Sequence, residues 1–218
     1  MISSREHAGE CVILLHGLIR TDVSLKKMAS ALSSAGYVTI NTNYPSTKQN
    51  IESLAEDAIV SALARCPNGA KVNFVTHSLG GILVRQFLST NMIENLGRVV
   101  MLGPPNQGSE VVDSLRNVPG FERMHGAAGL QLGTDARSVP KALGPAKFEV
   151  GIIAGTRSVN LILSKMISGQ NDGKVSVRNT KVEGMTDHIS LPVTHPFMMR
   201  NKKVIRQVIH FLKNGQFE

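Results

Sequence analysis

The sequence predicts an α/β fold, with one mostly parallel sheet of about six strands, helices on both faces and a single domain over residues 1–218. Two observations carry this reading. Short apolar runs without polar alternation recur along the chain, as expected of strands buried on both faces. Between them lie apolar stripes at i, i+3, i+4 and i+7, the period of a helix with one buried side. A chain of 218 residues with 42% hydrophobic content is long enough to bury such a core.

The elements follow in order. Cys11–Leu15 reads as a strand ending in His16-Gly17. Leu25, Met28, Ala29 and Leu32 form the next helical stripe, closed by Gly36, and Tyr37–Asn41 is the second strand. Ile51, Leu54, Ala55, Ala58, Ile59 and Ala62 mark a longer helix, capped by Asn50 and stopped at Pro67. Lys71–Val75 is a third strand, followed at once by the helix-compatible run Ile82–Leu88. Strands are expected at Val99–Leu102 and Glu149–Ala154, with the last inside Thr180–Leu191. Val204, Ile205, Val208, Ile209 and Leu212 share one face of a terminal helix that also carries Lys202, Lys203, Arg206 and Lys213. A basic amphipathic helix either lies on a membrane surface or covers a sheet, and an alternating chain calls for the second.

The segment 106–147 breaks this rhythm. Pro119, Pro140 and Pro145 interrupt it, as do glycines at 108, 120, 126, 129, 133 and 144, leaving only short helical pieces such as Ser109–Arg116. It reads as a loop-and-short-helix insertion at the end of the sheet where ligands bind.

Charge and cysteine content exclude several classes. Twenty-four Lys and Arg against sixteen Asp and Glu give +8, which favours weak, salt-sensitive attraction to anionic lipid surfaces. Trp is absent, Tyr is scarce and no nucleic-acid motif occurs, so nucleic acid is not an expected partner. Cys11 opens a strand and Cys66 ends a helical pattern, so both are expected to be packing residues and not a disulfide. No metal-ligand spacing is present. No apolar run approaches the ~20 residues that span a bilayer. The segment Met1–Glu10 carries charges and no apolar centre, unlike a signal peptide, so a cytoplasmic location is expected.

Chemistry concentrates at Thr76-His77-Ser78-Leu79-Gly80-Gly81, wedged between the third strand and its helix. A turn that sharp needs small neighbours and lifts the serine hydroxyl clear of the sheet. Thr76 replaces the first glycine of the usual G-x-S-x-G pattern. A nucleophilic serine needs a base, a carboxylate to orient it and donors for an oxyanion. Seven histidines compete for the base. His195 follows the last strand and is favoured, with His188 as rival; His7 lies in the tail, His210 in the terminal helix and His125 in the insertion. His77 adjoins the serine but should point away from its hydroxyl, and His16 is expected to bond the surrounding loops. Asp172, in the turn Asn171-Asp172-Gly173, leaves the penultimate strand and is the expected carboxylate, ahead of Asp187 and Asp135. The order Ser78, Asp172, His195 supports the assignment independently of the local motif. The amides of Leu79 and Leu18 are the expected oxyanion donors. Leu18, Leu79, Val111, Leu115, Met124 and Leu130 suggest an apolar pocket nearby.

With these residues the chain resembles the α/β-hydrolases, in particular their compact bacterial lipase and esterase branch. The resemblance rests on Leu15-His16-Gly17-Leu18, the Thr76–Gly81 elbow, Gly103-Pro104-Pro105-Asn106-Gln107-Gly108-Ser109, Asn171-Asp172-Gly173 and Thr194-His195. It runs from about Val12 to His210 and departs from the fuller pattern by starting at the His-Gly strand, without a large cap domain. It implies a serine carboxylic-ester hydrolase acting through an acyl-enzyme on short- to medium-chain acyl esters, without cofactor or metal. Acyl transfer, thioester cleavage and phospholipid deacylation use the same residues and are the alternatives. A non-catalytic lipid-binding domain is the remaining one.

Overall fold

The computed structural model describes residues 9–218, so the tail bearing His7 lies outside the described residues. The chain runs β1 (Glu10–Leu15), α1 (Lys26–Ser34), β2 (Val38–Thr42), α2 (Ile51–Leu63), β3 (Lys71–His77), α3 (Leu79–Thr90), β4 (Leu96–Leu102), α4 (Glu110–Leu115), α5 (Phe121–Leu130), α6 (Val139–Ala142), β5 (Val150–Arg157), α7 (Leu161–Lys165), α8 (Val177–Thr180), β6 (Asp187–Thr194) and α9 (Lys202–Asn214). The strands form one six-stranded sheet in the order β2-β1-β3-β4-β5-β6, with every neighbouring pair parallel.

Strand alternation divides the core in two. Cys11, Ile13 and Leu15 of β1 join Phe74, Met101 and Ile152 on one face, where α2 and α3 cover them. Val12 and Leu14 join Val75, Val100, Leu102 and Ile153 on the other, under Met28 and Leu32 of α1 and Val204, Val208 and Phe211 of α9. The terminal helix thus covers the sheet. Asn50 caps α2 by accepting from the Ser53 amide at 2.9 Å, as its sequence position predicts.

Two expectations are corrected. The last strand runs Asp187–Thr194 and not within Thr180–Leu191; Thr180 closes α8 instead. Pro192 does not end β6, because β6 is an edge strand, and an edge tolerates a missing N–H. The β5–β6 register shifts between Gly155 and Arg157, beside that proline. The second correction concerns the cysteines, which are joined as Cys11–Cys66 with Cα atoms 5.9 Å apart. The chain leaving α2 returns to the starting end of β1, a proximity set by packing across 55 residues and invisible in cysteine spacing.

The 106–147 segment carries α4, α5 and α6, with a kink at Gly126 where φ is 66°. It is tied to the body through Arg85 of α3, a buried cation that the sequence reading did not single out. The Arg85 guanidinium donates to the carbonyls of Asn106, Pro140 and Gly144 and to Asn106 Oδ1, at 2.7–3.1 Å. Burial draws its pKa down to about 10, so it remains charged at neutral pH. No helix among the described residues is long and apolar enough to cross a membrane.

Replacing Cys11 and Cys66 together with Ala should destabilise the fold by roughly 2–4 kcal/mol, because the bridge closes a long loop in the unfolded chain. Urea unfolding of the wild type with and without reductant, beside the double variant, measures this. Equal midpoints would exclude a stabilising bridge.

Candidate active site

Ser78 sits directly after β3, with φ 53° and ψ −118°, a conformation that non-glycine residues rarely hold. Its amide donates to the Leu102 carbonyl at 2.9 Å, which pins the turn to β4. Gly80 explains how the turn fits: a Cβ there would lie 2.5 Å from the Leu15 carbonyl oxygen. Only a bare backbone lets α3 begin so close to the end of β1.

His195 leaves the end of β6 and Asp172 lies in the long β5–β6 connection. His195 Nδ1 donates to Asp172 Oδ2 at 2.7 Å, and the His195 amide donates to the Asp172 carbonyl at 3.1 Å. The other carboxylate oxygen, Oδ1, accepts from the amides of Lys174 and Val175 at 3.0 and 2.9 Å. Asp172 is 1% exposed and His195 8%, so this pair is shielded from competing water. Gly103 makes room for it, since a Cβ there would stand 3.0 Å from Asp172 Oδ2 and 3.1 Å from His195 Nδ1. With Nδ1 committed to the carboxylate, Nε2 keeps its lone pair for an incoming proton.

Ser78 and His195 line one cavity of about 360 Å³. Leu18 lines it from the loop after β1, while Leu79 is buried beneath as the first residue of α3, where a helix N–H lacks an intrahelical partner. The Leu18 loop is held in shape by Ile19, at φ 56°, whose amide donates to Ser46 Oγ at 3.1 Å. The insertion contributes Val111, Val112, Leu115, Phe121 and Leu132. Met124, expected in an apolar pocket, is instead 63% exposed, and Leu130 packs on the core.

The rival residues lie elsewhere. His188 stands near the start of β6, bonded to Thr180 Oγ1 at 3.0 Å. Asp187 accepts from the amides of His188 and Phe217. Asp135 pairs with Arg116 at 3.2 Å, and His210 with the Gln216 carbonyl. His125 stacks on Phe121 at the cavity wall. His16 bonds its surroundings as expected: its ring stacks on Tyr44 at 4.0 Å, Nδ1 donates to the Gly17 carbonyl, and the Tyr44 hydroxyl donates to the His16 carbonyl. His77 lines the same cavity as Ser78 and is tied to His195. Its Nε2 donates to the His195 carbonyl at 3.0 Å and its ring tilts against the His195 ring at 4.7 Å, so it props the candidate base from behind. Nothing in its sequence position signals that contact, which joins residues 118 apart.

No protein-family model and no curated protein sequence matches this chain. Solved structures do. The mature lipase BlEst2 of Bacillus licheniformis superposes with a TM-score of 0.70 over 94% of this chain and 92% of its own, at 18% identity. The chain has the α/β-hydrolase fold. Phospholipase PlaB of Legionella pneumophila gives a TM-score of 0.73 at 15% identity, over 96% of this chain, which spans only 60% of PlaB. The metagenomic carboxyl esterase MGS0156 gives 0.70 at 21% identity, over 86% of this chain and 65% of its own.

Burial lowers the pKa of His77 well below its usual value, helped by the neighbouring His195, and lowers those of His16 and His188 as well. A histidine that resists protonation when folded costs stability in acid. The loss begins as pH falls through the ordinary 6.5 and deepens until the folded-state pKa is reached. Unfolding free energy should therefore drop between about pH 7 and about pH 5, by up to ~1.4 kcal/mol per pH unit for each such histidine. His77→Gln should flatten the slope while lowering stability at neutral pH. Urea midpoints across that range provide the check, and a pH-independent wild type would contradict the buried neutral state.

Proposed function

We propose that the protein is a serine carboxylic-ester hydrolase. The observation that carries this is the buried 2.7 Å bond from His195 Nδ1 to Asp172, with His195 in the same cavity as a serine held at a strained strand-to-helix turn. Ser78 Oγ attacks the acyl carbonyl while His195 Nε2 takes its proton. The anionic oxygen that forms accepts from the amides of Leu18 and Leu79, each such donor typically worth about 10²–10³ in rate. His195 then protonates the departing alcohol oxygen, leaving an acyl-serine. Water repeats the steps with His195 again as base and releases the acid. Asp172 stays ionised and holds the imidazolium as it forms. The structural neighbours include a lipase, a carboxyl esterase and a phospholipase, which supports this reading. In this reading residues 1–218 act as one domain, with 106–147 as its partial cover. The Cys11–Cys66 bridge supports an oxidising compartment over the cytoplasm as the place of action.

Ser78→Ala should lose about 10⁶ in turnover with the fold unchanged. Asp172→Asn should lose roughly 10³–10⁴, because the amide stabilises the wrong histidine tautomer, while Asp187→Asn should stay near wild type. Steady-state kinetics on p-nitrophenyl butanoate, with circular dichroism for each variant, rank the three. A larger loss in Asp187→Asn than in Asp172→Asn would reject the assigned carboxylate.

The cavity of about 360 Å³ lies near the small end of ligand pockets, which run from about 300 to 1,000 Å³. Short and medium acyl chains fit that size. Each buried methylene is worth ~0.8 kcal/mol, or about fourfold, so kcat/KM should climb from acetate to between butanoate and octanoate and then decline. A p-nitrophenyl ester series from acetate to palmitate tests this, and an optimum at the longest chains would refute the size argument.

A further inference from the structure

The cavity at Ser78 is apolar where the insertion lines it and cationic where two loops meet. Arg20 enters from the loop after β1, and Lys174 from the loop that carries Asp172. Among the described residues, no Asp or Glu lines the cavity. Among the described residues, neither cation forms an ion pair. The nearest buried carboxylate, Asp172, is already committed, with Oδ2 on His195 and Oδ1 on two backbone amides. Neither loop is loosely held. The Arg20 amide donates to the Gly17 carbonyl at 3.2 Å. The Lys174 amide donates to Asp172 and its carbonyl accepts from Ser109 Oγ at 2.9 Å.

Both side chains are open to solvent, and two like charges at one small cavity repel each other, so an anion between them is favoured. Their mutual influence is visible: burial first, and then the Arg20 charge, lower the Lys174 pKa. Ser78 lines the same cavity, and the apolar wall formed by Val111, Leu115 and Phe121 suits an acyl chain. An anion bound at Arg20 and Lys174 would therefore sit on the other side of the ester, on the alcohol.

We propose that Arg20 and Lys174 form an anion subsite, and that the preferred substrates are acyl esters whose alcohol portion bears a phosphate or carboxylate. The proposal rests on the reading of Ser78 as nucleophile. The oxyanion accepts charge-assisted hydrogen bonds from the guanidinium and the ammonium, and the scissile bond remains the ester. A lipid headgroup phosphate and a small soluble carboxylate present the same chemistry.

Two substrate pairs isolate the charge: 1-octanoylglycerol 3-phosphate against 1-octanoylglycerol, and 3-butanoyloxybenzoate against phenyl butanoate. We expect kcat/KM to favour the charged member at least ~10-fold, the low end of what charge-assisted hydrogen bonds give. Arg20→Gln with Lys174→Gln should bring the charged-to-neutral ratio towards one, a readout that cancels any general effect on Asp172. The ratio should also fall between about 0.01 M and about 1 M salt, as screening shortens from about 30 Å to about 3 Å. Preference within the glycerol pair alone assigns the subsite to headgroup phosphates, and preference within the benzoate pair alone to soluble carboxylates; both outcomes support it. Turnover of every ester with no charge preference overturns the subsite and leaves the Ser78 assignment standing. If no ester is turned over, the Ser78 reading fails, and titration calorimetry of the Ser78→Ala variant with phenyl phosphate decides the subsite separately. Binding that disappears in the Arg20 and Lys174 variants upholds it, and no binding to the parent rejects it.

Discussion

Burial of both faces of the sheet is the constraint on which everything else depends. From Cys11 to Leu15 the residues of β1 are apolar whichever way they point, so helices must cover both sides and each connection must cross over. All six strands then run in one direction, and every loop leaving a strand's carboxyl end emerges along the same edge. The chain moves from β1 outward to β2 and then returns to β3 on the other side of β1. At that reversal the loops after β1 and β3 diverge, and a crevice opens between them. Leu18 and Ser78 flank this crevice, and the later strands bring Asp172 and His195 to its side.

Within that crevice the polar groups are ordered by a supply of backbone donors. Asp172 receives two amides and one imidazole N–H, so a buried carboxylate has partners for its charge without any cation in direct contact. Behind it, burial lowers the pKa of His77 and of His16, and for His77 the neighbouring His195 and His16 add to the effect. Arg85 meets the opposite requirement on the far side of α3, where four oxygen acceptors surround one cation. Such a centre anchors both feet of the insertion, at Asn106 and at Gly144, to the same helix that begins at Ser78.

Much of this was legible in the sequence because the signals were local. The strand runs, the Asn50 cap, and the placing of Ser78 between strand and helix each depend on neighbouring residues, and each appears where expected. The pairing of Asp172 with His195 agrees with the order in which they follow Ser78 along the chain. Contacts made only by tertiary approach were not legible. The Cys11–Cys66 bond, the His77 support of His195 and the Arg85 anchor join residues that no short motif links. β6 runs past the expected Leu191 for a different reason: a proline is tolerated inside a strand at an edge, and only the topology shows that β6 is one.

The bridge has a meaning for assembly as well as for folding. Among the described residues β2 is the outermost strand on its side, its outer row of backbone groups has no partner strand, and Val38 is exposed. An edge of that kind invites pairing with another chain whenever it frays. The covalent ring closed by Cys11 and Cys66 contains α1, β2 and α2 together, so β2 cannot wander far from β1 even when its hydrogen bonds open. The tether thereby shortens the reach of the strand most able to recruit a neighbour, and guards the molecule against sheet-to-sheet association.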